Sequence, residues 1–278
     1  KTVADLRAQL KTLSPSNTSD RDLARFLVAR KWQVADAQAM YEAMTRWRHE
    51  FGADSLLGSF RFPQYEQVAT VYPTFFWGTD RFGRPVYVKC PGRGNFAALL
   101  ELADRDTVLK FHVWTWEYLR KHRFPAASIA AGKTIDSMLT LIDFGGVTMT
   151  QFGHVQSLMQ SISVIDQDNY PEHLGDMFIL NAGFAFKAIW ACISPFLDAR
   201  TQSKIRLLSG LADDQVFSLL PRESLPVFLG GTKEVTLEEC LRQDPGPWGE
   251  EKVLEQLYTE GRGCRDGELA FCPYPYLK

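Results

Sequence analysis

The chain has 278 residues and a formal charge of −2, so it has no general attraction to nucleic acid. Hydrophobic residues make up 45% and aromatics 13%, with seven Trp, which supports a real core in one large domain or one domain with a small appendage. Cys90, Cys192, Cys240, Cys264 and Cys272 are an odd, scattered set with no CxxC pair, which argues against a zinc cluster and for reduced thiols in the cytosol.

Val3, Leu6, Leu10 and Leu13 follow helical spacing, and Pro15 to Ser19 reads as a turn. Ser19 or Asp20 suits the cap of a second helix carrying Leu23, Phe26 and Leu27. Val34, Met40, Tyr41, Met44, Trp47 and Phe51 mark a third, so residues 1–60 read as a helical lobe. Thr74–Gly78 and Pro85–Lys89, joined by Asp80-Arg81-Phe82-Gly83-Arg84, read as a hairpin. Helices are expected over Asp104–Lys121, Thr150–Asp166 and Asp213–Leu220, buried strands at Ser137–Phe144 and Met177–Asn181, and a further strand at Ser203–Leu208. Alternating strands and helices predict an α/β lobe over 61–243 with a mainly parallel sheet flanked by helices. The tail, 244–278, is rich in Gly, Pro and charge, with a packed helix at Glu250–Tyr258. The polar, helical N-terminus has no signal-peptide pattern, although a chain opening on Lys1 reads as trimmed.

Tyr170 to Lys204 carries the most information. Met177 to Leu197 is nearly continuous grease, close to the ~20 residues of a membrane span. Asn181, Lys187 and Pro195 argue against a span. The stretch reads instead as a strand followed by an oily helix with Phe184, Phe186, Ile189, Trp190 and Ile193 around most of its circumference. A surface helix confines its apolar residues to one stripe. This one suits a core on one side and a lipid cavity or membrane on the other.

Six motifs then occur in order: LARFLVARKWQVADAQAMYEAMTRWR (23–48), DRFGRPVY (80–87), LTLIDFGG (139–146), NYPEHLG (169–175), NAGFAFKAIWACISPFLD (181–198) and LPVFLGG (225–231). Together they resemble the CRAL-TRIO lipid-binding family, in its branch of yeast-type phosphatidylinositol/phosphatidylcholine transfer proteins. The resemblance spans residues 20–235. It implies a cavity holding one phospholipid as cargo, no cofactor, and a gate helix at 184–193 that swings at a membrane surface. Burying each CH₂ of an acyl chain is worth ~0.8 kcal/mol, so such a carrier needs an enclosed apolar cavity.

The resemblance also implies site residues. Arg30, Lys31, Thr201 and Lys204 match an inositol-phosphate set, in which cations make charge-assisted bonds to a phosphodiester. The plain alternative is solvated basic residues closing a helix. Phe76, Tyr87, Trp116, Thr148 and Thr150 match a phosphocholine set, with Phe76 and Trp116 standing where those relatives carry Tyr. Aromatic faces attract a quaternary ammonium, and ordinary core packing is the alternative. Ser161 stands where the family has an acid of the inositol-binding set. Gly183 and Pro195 bracket the gate helix, and Asp198 caps or hinges the segment after it.

Enzyme readings are weak. Gly92-Arg93-Gly94-Asn95-Phe96-Ala97 fits GxGxxG/A but follows a hairpin strand and Pro91, not a βαβ unit. No nucleophile elbow or HExxH occurs, His49, His112, His122, His154 and His173 are scattered, and Cys192 reads as an apolar filler. The expectation is a monomeric, non-enzymatic, metal-free phospholipid carrier, cytoplasmic and peripherally membrane-associated. Two alternatives stay open: a carrier of a tocopherol-, retinoid- or sterol-like molecule, and a lipid-sensing recruitment module without transfer.

Overall fold

The structure, a computed structural model, describes residues 2–10, 18–265, 267–271 and 273, with the backbone alone at Phe96 and Ala185. Leu13, Pro15 and Cys272 lie outside the described residues.

Helices α1 (Thr2–Gln9), α2 (Asp20–Ala29) and α3 (Val34–Phe51) form the N-terminal lobe. Ser19 caps α2, its hydroxyl accepting the Asp22 N–H. Gly52 ends α3 in the left-handed conformation at φ 74°. Leu6, Leu10, Leu23, Phe26, Leu27, Met40 and Tyr41 share a core of their own. Ala53, Leu56, Leu57 and Phe60, just after α3, already belong to the main core. Arg48 of the lobe grips Glu117 through two bonds of 2.8 Å, and Tyr170 donates to the same carboxylate at 2.6 Å.

The α/β lobe begins with α4 (Tyr65–Val71), which the periodicity does not announce, and continues through β1 (Thr74–Thr79) and β2 (Pro85–Lys89). The hairpin motif owes its shape to Asp80. Its carboxylate accepts the N–H groups of Phe82 and Arg84 and the Arg84 side chain, while Gly83 takes φ 82°. The helix α5 (Arg105–Tyr118) passes through a wide π turn at Leu119–Arg123 into α6 (Phe124–Ala131). Pro125 sits at the start of α6, where its missing N–H costs least. There follow β3 (Met138–Asp143), α7 (Met149–Asn169), β4 (Leu174–Leu180), α8 (Phe184–Ile193), α9 (Ala199–Ser203) and β5 (Ile205–Leu207). β4 starts three residues before the apolar run suggests, and the helix expected over 213–220 is a single turn, Asp214–Phe217.

The five strands lie in chain order, β1-β2-β3-β4-β5, antiparallel at β1/β2 and parallel thereafter. Parallel crossovers share one hand, so strands laid down in a single direction put all their helices on one face. Phe75, Trp77, Val86, Val88, Leu139, Leu141, Phe178 and Leu180 point away from those helices. They pack against Leu208, Ala212, Val216, Leu220, Leu225, Leu229 and Cys240 from the later chain. The alternate residues face the crossover helices. The tail returns to brace those helices from outside: Trp248, Val253 and Leu257 are buried, the last two on α10 (Glu251–Thr259).

Candidate functional site

Between the sheet and its helices lies a cavity of about 1140 Å³. Well-packed cores hold few voids larger than a water molecule, so this volume is not a packing defect. It is somewhat larger than the usual range for drug-sized ligands. Its floor follows the strand register. Phe76, Tyr87, Thr140, Met177 and Ile205 form one row across all five strands, and Lys89, Ile142 and Ile179 form the next. Its roof is His112, Thr115 and Trp116 of α5, Leu119 of the π turn, Phe152, Met159 and Ile162 of α7, and Phe186, Trp190 and Ile193 of α8.

Residues that both line the cavity and are exposed mark its opening: Lys31 and Trp32, Val164 and Asp168 of α7, and Phe196, Asp198, Ala199, Arg200 and Ser203. Lys31 and Trp32 are consecutive non-glycine residues at φ 51° and 65°, an uncommon turn that holds both side chains at this rim. Arg30, Lys31, Thr201 and Lys204 all line the cavity, so the structure brings the inositol-phosphate set together at the open end. Lys204 Nζ is held by Glu172 at 2.9 Å and the Leu174 carbonyl at 2.8 Å. Glu172 also takes Arg200 Nε at 2.6 Å and itself sits at φ 62°. Asp198 caps α9 through the N–H groups of Arg200 and Thr201, and its other oxygen accepts the Thr201 hydroxyl at 2.6 Å. Burial pushes its carboxyl up, but the Thr201 hydroxyl and these N–H groups pull it below the usual range.

Ser161 is not in the cavity wall. Its hydroxyl faces outward, accepting from Arg105 and donating to the Ser157 carbonyl. Two acids of α7 do line the cavity: Asp168 at its rim, and Asp166, held by His112 Nε2 and Trp116 Nε1 at 2.6 Å each.

The phosphocholine set is divided. Phe76, Tyr87 and Trp116 line the cavity; Thr148 and Thr150 do not. Both threonines are exposed, and Thr148 is the N-cap of α7, its hydroxyl engaged with Gln151 in a capping box. A small polar residue just after a strand reads equally well as a ligand or as a cap, and here it is a cap. The three rings already have neighbours. Phe76 lies between the Tyr87 ring at 4.5 Å and the Arg123 guanidinium at 4.0 Å, and Trp116 stacks on Tyr170 at 5.1 Å. One polar group escapes a reading of the motif strings: Thr140, on the cavity floor and 1% exposed, whose hydroxyl has no partner among the described residues. Its only signal in sequence is a hydroxyl at an inward position of a fully apolar strand.

The helix read as a gate, α8, is one-sided. Phe186 and Ile189 are buried and Trp190 and Ile193 half-buried, while Phe184 is 89% exposed beside exposed Lys187, Ala188 and Ala191. Its outer face is thus less greasy than the composition suggests, with Phe184 the one large apolar group. The segment after it is tied to α7: the Gln167 amide donates to the Phe196 carbonyl and accepts the Asp198 N–H at 2.9 Å.

The glycines of 92–97 serve backbone contact. A Cβ at Gly92 would lie 2.0 Å from the Gly145 carbonyl oxygen, and one at Gly94 would lie 2.3 Å from that of Val71. Cys90 and Cys240 are fully buried, and burial pushes both thiols up, Cys240 to about 12, away from nucleophilic use. Among the described residues, no helix is long and apolar enough to cross a membrane.

Comparison with known proteins agrees with this geometry. Residues 69–231 match the family model for the CRAL/TRIO domain. The chain belongs to the CRAL/TRIO family. It is 36% identical over 256 residues to the phosphatidylinositol/phosphatidylcholine transfer protein SFH4 of Arabidopsis thaliana, covering 91% of this chain and 42% of that one. It is 35% identical over 237 residues to the SEC14 cytosolic factor of Kluyveromyces lactis, covering 84% and 79%. The chain therefore spans less than half the length of the plant relative and about four-fifths of the yeast one. The crystal structure of Sfh5 superposes with a TM-score of 0.62 at 17% identity, covering 91% of this chain and 85% of that one, and shares the fold.

Proposed function

We propose that this CRAL/TRIO chain is a carrier, not a catalyst: it binds a phospholipid and exchanges it between membranes. Phosphatidylinositol and phosphatidylcholine, the lipids in the names of its relatives, are the first cargoes to test. The observation that carries the reading is the cavity of about 1140 Å³, lined mainly by apolar side chains, with Arg30, Lys31, Arg200 and Lys204 set among Asp168, Glu172 and Asp198 at its opening. Acyl chains fill the interior, gaining ~0.8 kcal/mol per buried CH₂, and the headgroup stays near Arg30, Lys31, Thr201 and Lys204. Lys204 exchanges its bond with Glu172 for one to phosphate, a swap that keeps the cation paired throughout.

Membrane contact is made by the opening itself, with the protein acting as a monomer at the cytoplasmic surface. Trp32 is 54% exposed, Phe196 45% and Phe184 89%, with Arg30, Lys31 and Lys187 nearby in sequence to meet anionic headgroups. Aromatic rings flanked by cations suit an interface that is wet on one side and oily on the other. Opening requires α8 and its trailing segment to part from α7, breaking the two Gln167 bonds.

The test is transfer of labelled lipids between donor and acceptor vesicles. Wild type accelerates transfer, and Lys31→Ala with Lys204→Ala abolishes phosphatidylinositol transfer while phosphatidylcholine transfer persists. Equal loss of both activities sinks the assignment of these lysines to one headgroup. Tight binding with no acceleration sinks the carrier reading in favour of a lipid sensor.

A further inference from the structure

The ten cavity-lining residues of the sheet include three with polar side chains: Tyr87, Thr140 and Lys89. Lys89 follows Tyr87 by two residues, so both project from the same face of β2. Its Nζ lies over the Tyr87 ring, 5.1 Å from the centroid. Among the described residues no carboxylate comes within 4.0 Å of it, so the ammonium faces the cavity without a counter-ion. Thr140 pairs with Tyr87 across the strands, one strand over and two residues back from Lys89, which puts the two Cα atoms roughly 8 Å apart. Its hydroxyl is buried and, among the described residues, has no partner. A buried hydroxyl without a hydrogen bond and a half-buried cation without an anion both carry a cost that a ligand removes.

This pair is not part of the open end. Lys204 lies three strands across and three residues back from Lys89, roughly 17 Å away by sheet spacing. The headgroup that would approach Lys89 is also restricted. The exposed face of Tyr87 carries the Lys89 ammonium, and Phe76 is enclosed by Tyr87 and Arg123. A quaternary amine brought here meets a like charge in place of an open ring. A phosphate meets a cation and a hydroxyl donor.

The geometry points to a second, inner anion subsite, in which Lys89 and Thr140 take the phosphate of an acidic phospholipid that bears no quaternary amine. It deepens, and rests on, the reading of the cavity as a phospholipid site. The subsite makes the chain prefer acidic lipids to choline lipids when the headgroup is seated at the inner end.

The probe is a vesicle of equal parts phosphatidic acid and phosphatidylcholine. The full chain is incubated with it, re-isolated, and its bound lipid identified by native mass spectrometry. Wild type retains phosphatidic acid over phosphatidylcholine by about tenfold, the worth of one charge-assisted hydrogen bond. Lys89→Met brings the ratio to parity, Lys89→Glu inverts it, and Lys89→Arg keeps it, which separates charge from folding. Thr140→Val lowers the ratio by a few-fold, as loss of a single hydroxyl bond does. An equal ratio in wild type and Lys89→Glu overturns the subsite while leaving the carrier intact. Failure of every form to retain any phospholipid overturns the carrier reading with it. Displacement of bound lipid by millimolar inorganic phosphate would assign the subsite to free phosphate and overturn the lipid assignment.

Discussion

The two faces of the one sheet are built from neighbouring residues of the same strands, yet one is filled and the other hollow. On the filled face, Val88, Leu139, Leu141 and Phe178 meet side chains from the segment 208–240 and are essentially inaccessible. On the hollow face, Tyr87, Thr140, Ile142 and Met177 meet a space of about 1140 Å³ before they meet a helix. The strands do not decide this difference. A segment that lies flat on the sheet interdigitates with it. The crossover helices are held apart at their ends, by α5 docked on the lobe through Arg48–Glu117 and by the tail bracing α6 from behind.

The contrast is sharpest in truncation. Leu141→Ala on the filled face opens a new void and costs about 3 kcal/mol. Met177→Ala on the hollow face enlarges a void that is already there, and costs less than about 1 kcal/mol in lipid-free protein. Urea unfolding of the two variants measures both. Equal losses mean that the hollow face closes up when the cavity has no cargo. Adding phospholipid should stabilise wild type by mass action and stabilise Met177→Ala less.

That division of faces was only half legible in the sequence. Strands β3 and β4 read as buried because both of their faces are apolar, and this pattern is the same whether the covering layer touches the sheet or stands off it. The hollow follows from where α5, α7 and α8 dock, which is set by contacts far apart in the chain. The oily helix α8 was legible from its composition, but its orientation was not: Phe184 outward and Phe186 inward follow from α7 beneath it. Arg30, Lys31, Thr201 and Lys204 come together as the resemblance implies, across about 170 residues that no spacing rule connects. Thr148 and Thr150 misled because a hydroxyl after a strand does not say whether it caps a helix or faces a ligand. Thr140 and Lys89 passed unnoticed for the opposite reason. A Thr inside an apolar strand reads as a β-former and a Lys at a strand end reads as solvated.

Acid should separate the faces a second time. His122 sits behind the hollow side, fully buried, accepting the Cys264 N–H at Nδ1 and donating from Nε2 to the Trp248 carbonyl. That arrangement requires the neutral ring, and burial pushes its pKa down to about 4. The unfolded chain binds the proton near pH 6.5, so between 6.5 and about 4 it holds more protons than the folded one and stability falls as pH falls. The loss from this group is on the order of 3 kcal/mol by pH 4. His173, pushed well below its ordinary value by its burial and by nearby Arg25 and Arg120, adds in the same direction. Hydrogen exchange at pH 5 should show 248–264 losing protection before β2 and β3 do. Simultaneous loss across the sheet would mean the tail is not a separate brace. A His122→Gln variant should flatten the slope of stability between pH 4 and 6.5.

The smallest effect sits at the edge of the hollow face. Asp198 holds the start of α9 by accepting two N–H groups and the Thr201 hydroxyl, and it is reached from the gate helix through Pro195. Asp198→Ala removes the cap and costs about 1 kcal/mol of stability. The filled face contains no corresponding segment between a lid and a strand, so the loss is confined to 194–204. Exchange protection there should drop while that of the buried strands is unchanged. Thr201 follows Asp198 by three residues and Lys204 by six, so on the proposed reading the loosened segment also holds a headgroup less firmly. Asp198→Asn keeps an oxygen for the N–H groups and restores most of the stability, but not the acceptor that orients Thr201. If both variants transfer phosphatidylinositol like wild type, the cap is a matter of folding alone. If Asp198→Asn folds well and still transfers slowly, the orientation of Thr201 is part of the site.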